Sequence, residues 1–312
     1  MPTITTPQFR SEEISMNAQD PSVLALYQIA SLPIALDDPV FTHYSRMKMG
    51  VHKDLDFFAE KLADRAYELI EANPQHDSWV LTAPHYHAIP AAANFLCQRV
   101  HTLLQARPVM GKQISMVELQ LPPQSATIHN AEDYRLHFEY SRNTVEDRIK
   151  ERELLYRDAC NIVQKKPQFE HKAIIVINDI KVTGTQQKFM LASFDRINVA
   201  TIYWLYILEV DAAIGLQEPH IEHSINHAGI RSMDELKDII NNHDISYTAR
   251  CMSTIFTYEI QDFGRLLNSL SPSHITRIYR LASNDETYNG EFFREKLSLL
   301  KNYCENSKTT SY

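Results

Sequence analysis

The chain has 312 residues, 44% hydrophobic and 22% charged, which excludes disorder over most of its length and allows one large domain or a domain with an appendage. Its formal net charge of −8 excludes a surface that embraces nucleic acid on all sides, while leaving room for a local basic groove. Cys97, Cys160, Cys251 and Cys304 form no CxxC pair, so neither a disulfide framework nor a zinc ribbon is indicated, and a reducing cytoplasm is the expected home.

In chain order, Met1 to about Asp20 is polar and interrupted by Pro2 and Pro7. Residues 1–40 are expected to form an N-terminal arm without the basic-then-apolar pattern of a signal peptide. No apolar run approaches membrane-spanning length. Tyr44-Ser45-Arg46-Met47-Lys48-Met49-Gly50 has no strong periodicity, whereas Leu55, Phe58, Leu62, Ala66, Leu69 and Ile70 recur at helical spacing behind Asp54, the expected N-cap. Ser78 to Thr82 reads as a strand, Ala83 to His87 as a loop, and Ala88 to Gln105 as a helix with Pro90 just inside its start. A strand is expected over Ile114 to Leu119 and a long charged helix over Thr144 to Lys165.

Ala173 to Ile177 is apolar on both faces, as a central parallel strand must be. A helix from Gly184 to Phe194 and a strand from Val199 to Ile207 follow. Strands alternating with helices predict an α/β domain with a Rossmann-like parallel sheet over residues 41–215. Beyond it, Met233 to Ile240, Met252 to Leu270, Ile275 to Ala282 and Phe292 to Tyr303 read as helices, so residues 216–312 are expected to form a helical C-terminal appendage.

The chemistry concentrates where the central strand meets its helix. Ligands of open α/β sheets bind at such junctions, because backbone N–H groups and the helix dipole favour phosphate there. In Val182-Thr183-Gly184-Thr185-Gln186, Gly184 allows the backbone to approach an anion and the two threonines offer hydroxyls. Asp179 is placed to accept hydrogen bonds from vicinal ribose hydroxyls, with Asn178 beside it.

The segment from Ile174 to Gln186 resembles the signature of type I phosphoribosyltransferases: four apolar residues, two acidic, two apolar, then Thr-Thr-Gly-x-Thr. It departs at Asn178, where the first acidic residue is usual, at Lys181, at Val182 in place of the first Thr, and at Gln186 in place of the last. These departures bear on catalysis more than on binding. Tyr-Ser-Arg-x-Lys-x-Gly at Tyr44, Ala-Pro-x-Tyr-x-x-Ile-Pro at Ala83, and Pro219 to Asn226 together resemble a ComF-like bacterial group. That group is found with stress-related operons and with retron defence systems, and the likeness runs from about Phe41 to Arg250.

The resemblance implies the type I phosphoribosyltransferase fold and a protein that binds 5-phosphoribosyl-1-pyrophosphate. Mg²⁺ would be held through the substrate and Asp179, and the phosphoribosyl group would pass to a base or other acceptor. Asn178 and Asp179 would grip the ribose, while Lys181, Val182, Thr183, Gly184, Thr185 and Gln186 would cradle the 5-phosphate. Ala83, Pro84, His85 and Tyr86 fall where the pyrophosphate loop belongs. Arg46 and Lys48 are cations suited to a polyanionic donor, Arg142 lies where a mobile lid is usual, and Asp211 where the acceptor base is often contacted. His220, His223 and His227 lack a Cys or carboxylate cluster, so a helix over the sheet edge is preferred to a metal site. Two alternatives stay open: a non-catalytic sensor of the donor or a nucleotide, and a defence effector acting with a partner protein or nucleic acid. A homo-oligomer is compatible with each.

Overall fold

The structure, a computed structural model, describes residues 22–107, 111–121 and 161–309. Among the described residues five strands form one all-parallel sheet: β1 (Val23–Ile29), β2 (Ser78–Thr82), β3 (Gln113–Met116), β4 (Ala173–Lys181) and β5 (Thr201–Val210), in the order β1-β5-β4-β2-β3. β4 is the middle strand, buried from Ala173 through Ile180, because helices cover both faces of a parallel sheet. β1 lies within the segment expected to be an arm. Its short apolar run, Val23 to Leu26, has no helical period, and it adds to the sheet edge with Val23 opposite Trp204 and Ile29 opposite Val210.

The period of two along the strands sorts the core into two layers. Trp79, Leu81, Ile175, Ile177, Leu205 and Ile207 point to one side, where they pack against α1 (Pro39–Lys48), α2 (His52–Ala72) and α3 (Ala92–Gln105). Val80, Ile174, Val176, Trp204 and Tyr206 point to the other, against Phe169, Met190 and Phe194. The last two belong to α6 (Thr185–Phe194); two short turns, α4 (Asn161–Gln164) and α5 (Lys166–Phe169), precede β4. The long charged helix expected from Thr144 lies outside the described residues up to this point. Burial of each large apolar side chain contributes about 1.5–3 kcal/mol, so these layers fix the register on which the site depends.

α1 occupies the stretch around Tyr44 that shows no strong periodicity. Its signals are local: the Asp38 carboxylate accepts the Val40 N–H at 2.9 Å, and Pro39 opens the first turn. α2 starts at His52 with Val51 at its cap, so Asp54 is not the N-cap. Asp54 is instead fully buried in the first turn, where His43 Nδ1 at 2.6 Å and Arg46 Nε at 2.9 Å meet its two carboxylate oxygens. Pro90 precedes Ala91, the cap of α3, and lies outside that helix.

After β5 come α7 (Ala212–Gln217), α8 (Ile221–Asn226), α9 (Met233–Asn242), α10 (Ala249–Thr257), α11 (Ile260–Asn268), α12 (Pro272–Asn284) and α13 (Arg294–Thr309). The single helix expected over Met252 to Leu270 is two, because Tyr258 and Glu259 are extended. On one continuous helix Phe256 and Phe263 would stand about 10 Å apart along the axis. The break brings their ring centroids to 5.4 Å, inside a cluster with Tyr288 and Phe293. This second core reaches back to Met49 and Val51, and Ser246 N donates to Gly50 O at 2.9 Å, so the C-terminal helices brace the end of α1. Among the described residues no helix is long and apolar enough to cross a membrane.

Candidate functional site

The side-chain alternation of β4 decides what its last residues meet. Asp179 turns toward α1 and Asn178 toward α6. Both ends of the Asn178 amide are used: Nδ2 donates to Gln186 Oε1 at 3.0 Å, and Oδ1 accepts the Asp179 N–H at 2.9 Å. Beyond Lys181 the chain turns through Val182, Thr183 and Gly184. Gly184 sits at φ 69° and ψ 4°, the left-handed region that a side chain disfavours. The turn delivers the chain into α6, whose first-turn N–H groups have no intrahelical acceptor. Thr183 Oγ1 and Thr185 Oγ1 are 2.8 Å apart and brace the turn.

This loop forms one wall of a cavity of about 200 Å³. The rest of its lining includes Lys48 from the end of α1, Glu222 from α8, and Pro84 with His85 from the loop after β2. Lys48 Nζ pairs with Asp179 Oδ2 and stands 3.8 Å from Glu222 Oε1, with all three side chains largely buried. One turn earlier on α1, the fully buried Tyr44 places its ring centroid 5.8 Å from the same ammonium. Burial drives the Tyr44 phenol well above its ordinary pKa, the charges of Asp179 and Glu222 push the same way, and Arg250 opposes them. Lys181, the other lysine lining the cavity, is engaged by Glu209 at 2.8 Å.

The loop after β2 is fixed from α3. Asn94, buried in the first turn of that helix, donates from Nδ2 to Pro84 O at 3.0 Å, while its Oδ1 accepts the Ala91 N–H at 2.9 Å. Pro84 and His85 thereby reach the cavity. Ala83 is buried at the end of β2, and Tyr86 turns away: its hydroxyl donates to Glu118 Oε2 at 3.2 Å. Burial and the Glu118 charge push the Tyr86 phenol up to about 12.

The remaining candidates fall elsewhere. Arg46 pairs with Asp54 between α1 and α2 and does not line the cavity. Asp211 caps α7 by accepting the Ala213 N–H at 2.9 Å and is exposed. Arg142 lies outside the described residues. His223 and His227 pack with ring centroids 4.2 Å apart, and His227 Nδ1 is 2.7 Å from His223 O. Val182 serves as a packing point: Gly215 of α7 approaches so closely that a Cβ there would lie 2.4 Å from Val182 O.

Glu222 and Tyr44 join the site without having been singled out as site residues. Glu222 reads in the sequence only as an interruption of a histidine series, and Tyr44 only as a phenol beside two cations. The available signal is that each lies in a segment carrying the family likeness, at Tyr44 to Gly50 and Pro219 to Asn226. The site can receive an anion on the loop and the start of α6, and hydroxyl donors on Asp179.

A parallel sheet whose middle strand carries Asp179 near its end and leads into a glycine turn at a helix start defines a Rossmann-like protein of the phosphoribosyltransferase kind. The model of the family described as PRTase ComF-like matches residues 21–300, and the chain belongs to that ComF-like phosphoribosyltransferase family. No curated protein matches the chain.

Proposed function

We propose that the cavity binds 5-phosphoribosyl-1-pyrophosphate with Mg²⁺ and that the protein transfers the phosphoribosyl group to a nitrogen acceptor. The observation carrying this reading is the meeting, in one cavity, of Asp179, the left-handed Gly184 turn at the start of α6, and the Pro84-His85 loop. The N–H groups of the first turn of α6 and the hydroxyls of Thr183 and Thr185 receive the 5-phosphate, with Gly184 leaving the approach clear. Asp179 accepts a ribose hydroxyl, and His85 lies beside the pyrophosphate.

The donor set suits Mg²⁺, which uses one or two carboxylates with phosphate oxygens and water: Asp179 and Glu222 are the carboxylates lining the cavity. Among the described residues no group of three or more His, Cys, Asp or Glu is arranged to hold a metal, so the ion would arrive mainly on the donor's oxygens. When bound, it supplies counter-charge to the leaving pyrophosphate. The bond from C1 to pyrophosphate breaks with its electron pair leaving on oxygen, the acceptor nitrogen forms the new bond to C1, and its proton departs. The protein contributes position and fixed charge.

Calorimetry in Mg²⁺ buffer checks the reading. Donor binding is expected to weaken about 100-fold in Asp179→Ala, which removes a charged hydrogen-bond acceptor, and several-fold in Thr183→Val, which removes a neutral hydroxyl. Wild-type affinity in both variants refutes the site.

A sensor without transfer is the second reading, favoured by one observation: each end of the Asn178 amide already makes a hydrogen bond within the protein, which leaves it fewer positions to offer a ribose. Pyrophosphate release from donor mixed with a cell extract separates the two, since a sensor releases none. Stress or defence service, with a partner protein or nucleic acid, is compatible with either reading and is checked by growth arrest on expression that disappears in Asp179→Ala.

A further inference from the structure

Lys48 is held from four directions. Its ammonium meets Asp179 and stands 3.8 Å from Glu222, and the Tyr44 ring lies one helical turn back. Its carbonyl accepts the Thr248 hydroxyl at 2.6 Å, and Thr248 also caps α10, so the C-terminal helices fix the end of α1. The Lys48 side chain is only 13% exposed, unlike a mobile surface lysine. It stands at the C-terminal end of α1, where the helix dipole favours a cation.

Among the described residues the charges at the cavity are few. Asp179 and Glu222 are negative and Lys48 is positive, while Lys181 is already engaged by Glu209. Arg250 acts on the Tyr44 phenol through its charge and does not line the cavity. Without Lys48, two carboxylates would face a ligand bearing a phosphate and a diphosphate. At separations of a few ångström in a partly enclosed site such repulsion is large, and a cation brought by the ligand would relieve it.

We propose that Lys48 is the resident cation of this site: by neutralising Asp179 and Glu222 it lets a phosphorylated ribose bearing a diphosphate enter with reduced need for free divalent metal. This rests on the donor reading above. Asn178 fits the same scheme, because an amide at that position removes a further negative charge that metal would otherwise balance.

The readout is the ratio of 5-phosphoribosyl-1-pyrophosphate affinity in Mg²⁺ to that in a chelator, measured by calorimetry on the full chain. In Lys48→Met the ratio is expected to rise about tenfold over the native chain, the size of a moderate coupling between neighbouring charges. Lys48→Arg keeps the native ratio even where its affinity falls, and Lys48→Met combined with Glu222→Gln returns toward it. A packing role for Lys48 would weaken binding equally in both buffers and leave the ratio unchanged, which overturns the proposal. Should Lys48→Met fail to fold, Lys48→Gln decides by the same ratio: a rise supports the proposal and an unchanged or smaller ratio overturns it. Absence of donor binding by the native chain in both buffers would instead refute the donor reading itself.

Discussion

The two walls of the cavity are assembled in different ways. One is a single run of chain, Asn178 to Gln187, at the end of the middle strand. The other gathers Lys48, the Pro84-His85 loop and Glu222, which are separated by dozens of residues and meet only because α1, α3 and α8 pack where they do. The continuous wall takes its shape from local rules: a buried strand, a left-handed glycine and a helix start. The assembled wall takes its shape from the core, so its chemistry is coupled to stability. Variants can therefore separate residues that build the assembled wall from those that work at the cavity.

The largest expected effect concerns α1, which carries two cations with different partners. Arg46→Met leaves the fully buried Asp54 with His43 alone, and removing one partner of a buried ion pair costs about 3 kcal/mol. Denaturant unfolding should register that loss. Donor affinity of the folded fraction should stay within about twofold, because the lost interaction lies in the α1–α2 contact and not in the ligand's contacts. A variant of native stability that binds donor poorly would move Arg46 into the site and erase the distinction drawn between it and Lys48.

The next effect tests how far the continuous wall depends on its surroundings. In Gly215→Ala the new Cβ would lie 2.4 Å from Val182 O, a backbone atom that cannot swing aside. The loop or α7 must shift, at about 2 kcal/mol of stability as for other overpacked sites. Donor affinity should fall with it, since the shift is transmitted straight to Thr183 and Gly184. Unfolding curves and donor titrations on the same variant check both halves. Native affinity despite lowered stability would show that α7 yields instead of the loop.

The same division explains what the sequence made legible. Ala173 to Ile177 reads as a central strand because a two-sided burial requirement leaves an unbroken apolar run, and the following turn reads as a phosphate loop because it contains one of only seven glycines. α1 was illegible because its ten residues bury Phe41, Tyr44, Ser45 and Met47 and leave too short a stripe for periodicity to register. Asp54 looked like a cap because it precedes an apolar series, but His43 and Arg46 on α1 draw it inward. Glu222 could not be connected to Asp179 from spacing alone. Their meeting depends on the placement of α8, whose Ile221 and Ile225 bury themselves in the core beneath α1. The break at Tyr258 was equally hidden, since the apolar spacing continues through it and only the aromatic cluster of Phe256 and Phe263 requires it.

The smallest expected effect concerns Tyr86, whose segment carries the family likeness although its hydroxyl faces Glu118 and not the cavity. The folded protein holds this phenol protonated up to about 12, above the ordinary value near 10, because burial and the Glu118 carboxylate disfavour the phenolate. Its contribution to stability is therefore present in full below about pH 10, where folded and unfolded chains are both protonated. It is lost as pH rises toward 12, because the unfolded chain releases the proton first. Tyr86→Phe should flatten part of that alkaline decline in stability, by an amount reduced by the solvent that reaches the half-buried ring. Donor affinity near neutral pH should not change. Tyrosinate absorbance recorded against pH, beside donor titrations of the same variant, checks both statements. A Tyr86→Phe protein that loses donor affinity near neutral pH would show that the hydroxyl leaves Glu118 for the ligand, and would extend the assembled wall by one residue.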